Sequence, residues 1–214
     1  MNTNPKKARA GGFRFNQADI GVFNSGSILP IADKVRRNDR VIGLTNGEFS
    51  LIDLIAGLLE VTGKAHLVVA TWSAGIKDCH QVKWLMDTGK LASVRVITDH
   101  SFCTRKKQYM VSISDMFGDE NIRTTESHAK FVLIHNDDFR IVIRTSMNLN
   151  ANKTCETFEV DKDAGVFELF WEWCQHNFDD MPEGFTASSW KASKSLKKYF
   201  TRESVTKYTG WSDL

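Results

Sequence analysis

Apolar residues fall at helical spacing along "FSLIDLIAGLLEVTG", where Leu51, Leu54, Ile55, Leu58 and Leu59 share one stripe and Gly63 stops it. "AHLVVATW" follows as a short run of mainly apolar residues and predicts a buried strand. Helix and strand then alternate. "KDCHQVKWLMDTGK" predicts a helix ending at Gly89 and "SVRVITDH" a strand. "RKKQYMVSISDMFG" predicts a helix ending at Gly118, and "NIRTT" a short extended piece. Upstream, "ILPIADKVRRNDRVIGL" holds a short arginine-rich helix and then a strand at "RVIGL". The alternation predicts an α/β domain with a mixed, largely parallel central β-sheet flanked by helices.

The rhythm changes near residue 129. "AKFVLIHNDDFRIVIRTS" is two apolar runs around a polar turn, which predicts a β-hairpin. "TFEVDKD" predicts one more strand. "AGVFELFWEWCQHNF" predicts a helix whose Phe167, Phe170, Trp171, Trp173 and Phe178 read as a surface packed on the sheet rather than a ligand platform. After Pro182 the chain turns polar, with aromatics among lysines. The expected organisation is a basic N-terminal arm over 1–27, an α/β domain over 28–182 and a basic, aromatic-containing tail over 183–214.

The 214 residues are 42% hydrophobic and 25% charged, which suits one well-filled core and excludes wholesale disorder. No run of about 18 apolar residues is present, so no membrane span is expected. The first residues lack the apolar middle of a secretory signal, and a cytoplasmic location is expected. Cys79, Cys103, Cys155 and Cys174 form no CxxC pair, so reduced thiols are expected, with no metal and no cofactor. The net charge of +2 hides its distribution. Residues 1–17 and 190–214 carry +4 each, leaving −6 between them. Such ends fit a polyanionic partner reached by the termini, or lysine-rich tails that aid solubility.

Candidate chemistry begins at "SHAKFVLI". Alternation along a strand would point His128 and Lys130 the same way, at the edge of the core where a cleft can form. Ser146 and Asn148, again two apart, stand where the second hairpin strand gives out. A hairpin can gather all four into one place. That set offers a nucleophile or base, a fixed cation and two hydrogen-bonding groups, which suits attack at a phosphorus centre.

The segment 128–159 resembles the HKD motif of the phospholipase D superfamily: H-x-K-x4-D, a short spacer, G-S-x-N, and a later glutamate. His128 and Lys130 match H-x-K. Thr145, Ser146 and Asn148 stand at G-S-x-N, with threonine for glycine, and Glu159 matches the later acid by its offset from the serine. His135 stands where the motif aspartate falls, and Asp137 and Asp138 in a longer hairpin are candidate substitutes. The α/β layout over residues 42–180 is similar as well.

The resemblance implies a phospholipase D-like fold and phosphodiester chemistry without a metal. One histidine attacks phosphorus and forms a phosphohistidine, and a second protonates the leaving oxygen. Lysine and asparagine hold phosphate oxygens, and Glu159 would orient an imidazole. This chain has one motif, since His66, His80, His100 and His176 have no lysine two residues on. A homodimer with two His128 residues meeting across a two-fold axis is therefore implied.

Nucleic acid is the expected substrate, with DNA favoured. Its candidate contacts are Lys6, Lys7, Arg9, Arg14, Arg36, Arg37, Arg40, Arg105, Lys106, Lys107, Lys197 and Lys198. Trp190, Tyr199, Phe200, Tyr208 and Trp211 would stack on bases or pin the tail to the body. Two alternatives stay open. One is a degenerate fold that binds without cleaving, on the strength of positions 135 and 145. The other is a lipid phosphodiesterase.

Overall fold

A computed structural model describes residues 18–23, 27–37, 40–151 and 153–185. Its strands are β1 (Ala18–Val22), β2 (Arg40–Thr45), β3 (Ala65–Thr71), β4 (Leu91–Asp99), β5 (Ile122–Thr125), β6 (Phe131–His135), β7 (Arg140–Thr145) and β8 (Glu156–Asp161). They form one eight-stranded sheet in the order β1-β2-β8-β7-β6-β3-β4-β5. Parallel pairs lie on the flanks, β1 with β2, β3 with β4 and β4 with β5. The antiparallel block from β2 through β8, β7 and β6 to β3 fills the centre. The mixed α/β architecture expected from the alternation is present, but its centre is antiparallel rather than largely parallel, because the β6–β7 hairpin stands at its middle.

The two faces of each central strand go to different cores. Val132, Ile134, Ile141 and Ile143 pack with the helices α1 (Leu29–Arg37), α2 (Leu51–Thr62), α3 (Ile76–Asp87), α4 (Phe102–Arg105) and α5 (Lys107–Phe117). Phe131, Leu133 and Val142 face the long helix α6 (Ala164–Asp180) and its aromatic side chains. This is why β6 and β7 read as unbroken apolar runs: both of their faces are covered.

Local signals explain the elements. Ser50 and Asp53 form a capping box at the start of α2, each side chain accepting from the other's backbone N–H. Gly63 ends that helix at φ 69°, a conformation costly for other residues. On β2, a Cβ at Gly43 would lie 2.5 Å from the Phe158 ring, so glycine is what admits this buried aromatic to the sheet.

The directions of the strands place the site. The carboxyl ends of β2, β3, β4 and β7 and the starts of β6 and β8 share one end of the sheet. The turn between β6 and β7 lies at the other end.

Three local expectations are corrected. The stretch expected as an arm, 1–27, contains β1, which extends the sheet beside β2. The helix expected through 105–118 is broken at Lys106, whose φ of −134° and ψ of 38° separate α4 from α5. Strand β6 begins at Phe131, so His128 and Lys130 lie in the irregular segment before it. Lys6, Lys7, Arg9, Arg14, Lys197 and Lys198 lie outside the described residues, as do Trp190, Tyr199, Phe200, Tyr208 and Trp211. Among the described residues no helix is long and apolar enough to cross a membrane.

Candidate active site

The segment before β6 is tied to the ends of its neighbours. Asp99, buried at the end of β4, accepts the Ser127 N–H at 3.2 Å, and Ser127 Oγ accepts the Ala129 N–H at 3.1 Å. Lys130 O accepts the Thr145 N–H at 3.2 Å, joining the segment to the end of β7. His128 is thereby held exposed between two anchored neighbours.

Lys130 Nζ donates to the His128 carbonyl at 3.1 Å and lies 3.1 Å from its Nδ1. The alternation expected from a strand is absent, yet the two functional groups meet through this pair of contacts. Partial burial lowers the Lys130 pKa from its ordinary value, and the charge of Glu156 opposes that shift. With an ammonium against Nδ1, a neutral His128 ring carries its proton on Nε2.

Beyond β7 the chain alternates again. Met147 and Leu149 are buried, which leaves Ser146 exposed and Asn148 partly so. Leu149 bridges to Ala74, and its N–H donates to Thr71 Oγ1 at 3.1 Å. Asn148 Oδ1 accepts the Ser73 N–H at 3.1 Å. Trp72, next along, lies against His128 with ring centroids 5.0 Å apart. His128, Lys130, Ser146 and Asn148 are thus gathered at one end of the sheet, where β3 and β7 finish and β6 starts.

Glu159 is not part of this group. It pairs on β8 with Arg144 of β7 and lies on the α6 side of the sheet, where Arg144 binds it at 2.5 Å and Arg40 binds it from β2. Arg144 also reaches Asp161 at 3.3 Å. The carboxylate at the site is Glu156, the first residue of β8, which accepts the Ser146 hydroxyl. Ser146 Oγ in turn accepts the Thr157 N–H at 2.9 Å.

Asp137 and Asp138 do not support the site either. Both are exposed in the turn between β6 and β7, at the far end of the hairpin from His128. That turn is built by Asn136, whose side chain accepts the Asp138 and Phe139 N–H groups and donates to Thr62 O and Lys64 O. His135 lies at the same far end, stacked on His66 at 5.0 Å and edge-on to Trp171 at 4.8 Å. Thr145 turns its hydroxyl into the backbone, donating to Thr157 O at 2.6 Å and accepting the Met147 N–H at 3.0 Å.

The basic candidates divide. Arg105 stacks its guanidinium over Trp72 at 3.7 Å and donates to Trp72 O at 2.9 Å, which puts it beside His128. Lys106 and Lys107 follow it in the chain, Lys106 over the Tyr109 ring at 5.5 Å. Arg36, paired with Asp33 at 2.9 Å, and Arg37 end α1 just ahead of Arg40, at the opposite end of the sheet. Among the described residues, no group of three or more histidine, cysteine or carboxylate side chains is placed to hold a metal.

Sequence reasoning missed Trp72, Asp99 and Glu156. The first two follow from nothing more specific than their position at strand ends. Glu156 had a signal: Phe158 and Val160 are the apolar positions of β8, so Glu159 between them must face the other way.

No family model matches the chain, and no curated protein matches its sequence. Solved structures do. NucT from Helicobacter pylori is 17% identical with a TM-score of 0.48, over 67% of this chain and 99% of that one. Nuc from Salmonella typhimurium, a phospholipase D family member, is 12% identical with a TM-score of 0.47, over 69% of this chain and 98% of that one. A phosphatidylserine synthase from Haemophilus influenzae is 16% identical with a TM-score of 0.41, over 79% of this chain and 46% of that one. At these values the reading of the site rests on this chain's own residues.

Proposed function

We propose that this chain is a metal-independent phosphodiesterase that cleaves nucleic acid, DNA in the first place, through a phosphohistidine formed on His128. The observation that carries the reading is the contact of Lys130 Nζ with His128 Nδ1 at 3.1 Å, at the end of the sheet that also carries Ser146 and Asn148. The motif and this contact supply a nucleophile and a fixed cation for a phosphate.

In the proposed reaction a phosphodiester binds with its anionic oxygens toward Lys130 and Asn148. Engagement of the phosphate draws the Lys130 ammonium from Nδ1, so the ring can move its proton from Nε2 to Nδ1. The Nε2 lone pair then forms the P–N bond as the P–O bond to the leaving group breaks. The departing oxygen takes a proton from the second His128, supplied by another copy of the chain in a homodimer. Water attacks the phosphohistidine, gives a proton to that second ring, and releases a phosphomonoester. The two rings begin as one neutral and one protonated. Trp72, with Arg105 on its face, offers a surface beside the nucleophile for a base.

The inert-binder alternative leaned on positions 135 and 145. His135 sits at the far end of the hairpin and Thr145 bonds to the backbone of β8, so neither substitution removes a group from the His128 end of the sheet.

The test is cleavage of supercoiled plasmid and single-stranded DNA in EDTA at low salt, beside the His128→Ala variant. Cleavage by the unaltered chain alone is expected, with a dimer by light scattering. No cleavage by either, with DNA still bound, would establish the binder instead. Equal cleavage by both would place the chemistry elsewhere.

A further inference from the structure

A cavity lies on the α6 side, at the end of the sheet away from His128. It measures about 280 Å³ and is lined by His66, Ser93, Arg95, His135, Trp171 and Gln175. Register builds it. His66 of β3 faces Ser93 of β4 on one side and His135 of β6 on the other. The two imidazoles stack at 5.0 Å, 22° from parallel, and Ser93 Oγ lies 2.8 Å from His66 Nδ1.

Its charges are one-sided. The Arg95 guanidinium lies over the Phe178 ring at 4.8 Å, and its nearest acceptor is Gln175 Oε1 at 3.5 Å. Among the described residues no carboxylate pairs with Arg95. Across Phe178 lies a second guanidinium, Arg123, at 4.7 Å, whose own ion pair is with Glu183. On β7, Arg140 approaches His135 but is bound by Glu168 of α6 at 2.9 Å. Among the described residues the cavity thus holds one fixed cation without a carboxylate partner and two imidazole rings, and no carboxylate lines it.

We infer that this cavity binds a phosphate group, with Arg95 as the fixed cation and His66, His135 and Ser93 as hydrogen-bond donors. The ligand is a free phosphate ion or a phosphate of a nucleic-acid strand. The aspartate of the resembled motif would repel an anion at position 135, whereas a histidine can donate to one. Burial, His66, Arg95 and Arg140 all push the His135 pKa down, so the empty cavity disfavours the protonated ring. An anion reverses that balance. Binding and protonation then favour each other by the same factor, and the site tightens as pH falls.

The experiment follows the imidazole resonances of His66 and His135 in the full chain. Sulfate is the first probe, because its charge does not change near neutral pH, and inorganic phosphate and a single-stranded oligonucleotide are the others. Sulfate is expected to shift both rings, to raise the titration midpoint of His135 and to bind about tenfold or more tightly at pH 6 than at pH 8. Arg95→Gln should remove these shifts. His135→Phe, which keeps a ring against Trp171, should weaken binding and flatten its pH dependence. His128→Ala should change nothing. An oligonucleotide acting on the same rings makes the strand the ligand, and the inorganic anions acting alone make it a free ion; either supports the site. Rings that do not respond at roughly ten millimolar sulfate, or that respond equally in Arg95→Gln, overturn it. So does loss of the response in His128→Ala, which would put the anion at the opposite end of the sheet.

Discussion

The Ser146 hydroxyl donates to Glu156, while Glu159, three residues on and one strand face over, is held by Arg144 and Arg40. Two carboxylates of one short strand therefore have separable tasks. Glu156→Gln should lower phosphodiesterase activity roughly ten- to a hundredfold, the range expected for a group that orients a catalytic side chain. Glu159→Gln should leave activity near the original level and instead destabilise the fold by about 1–3 kcal/mol, between the values for exposed and fully buried pairs. Cleavage kinetics and urea denaturation of both variants separate the two. A loss of activity in Glu159→Gln with unchanged stability would return the orienting role to Glu159.

Trp72 lies between Arg105 and His128, 3.7 Å from the guanidinium and 5.0 Å from the imidazole ring. If it is a base platform, Trp72→Ala should weaken single-stranded oligonucleotide binding about tenfold and raise KM more than it lowers kcat. Trp72→Phe should retain most of the affinity. Arg105→Ala should reduce the slope of log affinity against log salt by about one phosphate contact. Fluorescence anisotropy across a salt series reads all three. A slope unchanged in Arg105→Ala would confine that arginine to holding Trp72.

The elements with strong periodicity were legible. The stripe from Leu51 to Leu59 became α2, and the paired apolar runs at 131–134 and 140–145 became the central hairpin. The short, half-exposed pieces were not. β1 is a five-residue edge strand with Ile20 80% exposed, so an apolar residue there does not mark a buried strand. The motif brought His128, Lys130, Ser146 and Asn148 to one end because each sits at a strand terminus whose position the hairpin fixes. It grouped Glu159 with them because counting from the serine ignores the parity of β8, which turns Glu159 to the α6 side. His135 and the two aspartates were counted along the sequence as part of the motif, although a β-strand carries them the length of the hairpin away from it.

Thr145 tests how far the resembled motif can be imposed. Its hydroxyl closes the end of β7 onto Thr157 O and the Met147 N–H. Thr145→Gly, which restores the motif residue, removes both bonds and loosens a strand end. It should cost about 1–3 kcal/mol of stability without raising cleavage. Thr145→Ser keeps the hydroxyl and should recover most of the loss. A gain of activity in Thr145→Gly would mean that the threonine side chain restricts access of the phosphate.

The same burial that lowers the His135 pKa sets a pH dependence of folding. Its pKa in the folded chain lies below the ordinary 6.5, with desolvation the first cause and the charges of His66, Arg95 and Arg140 following. The unfolded chain titrates near the ordinary value. As pH falls below that value, the unfolded chain therefore gains a proton that the folded chain resists, and the balance moves toward unfolding. This contribution is fully present above pH 6.5 and is lost progressively below it, until the folded-state pKa is reached. His135→Phe cannot titrate, so its stability should fall less than that of the original chain between about pH 7.5 and about pH 5.5. Urea unfolding in chloride buffers at the two pH values measures the difference. Adding sulfate at the lower pH should stabilise the original chain more than the variant, because an anion in the Arg95 cavity favours the protonated ring. An equal loss in both chains would show that groups other than His135 govern the acid side of the stability curve.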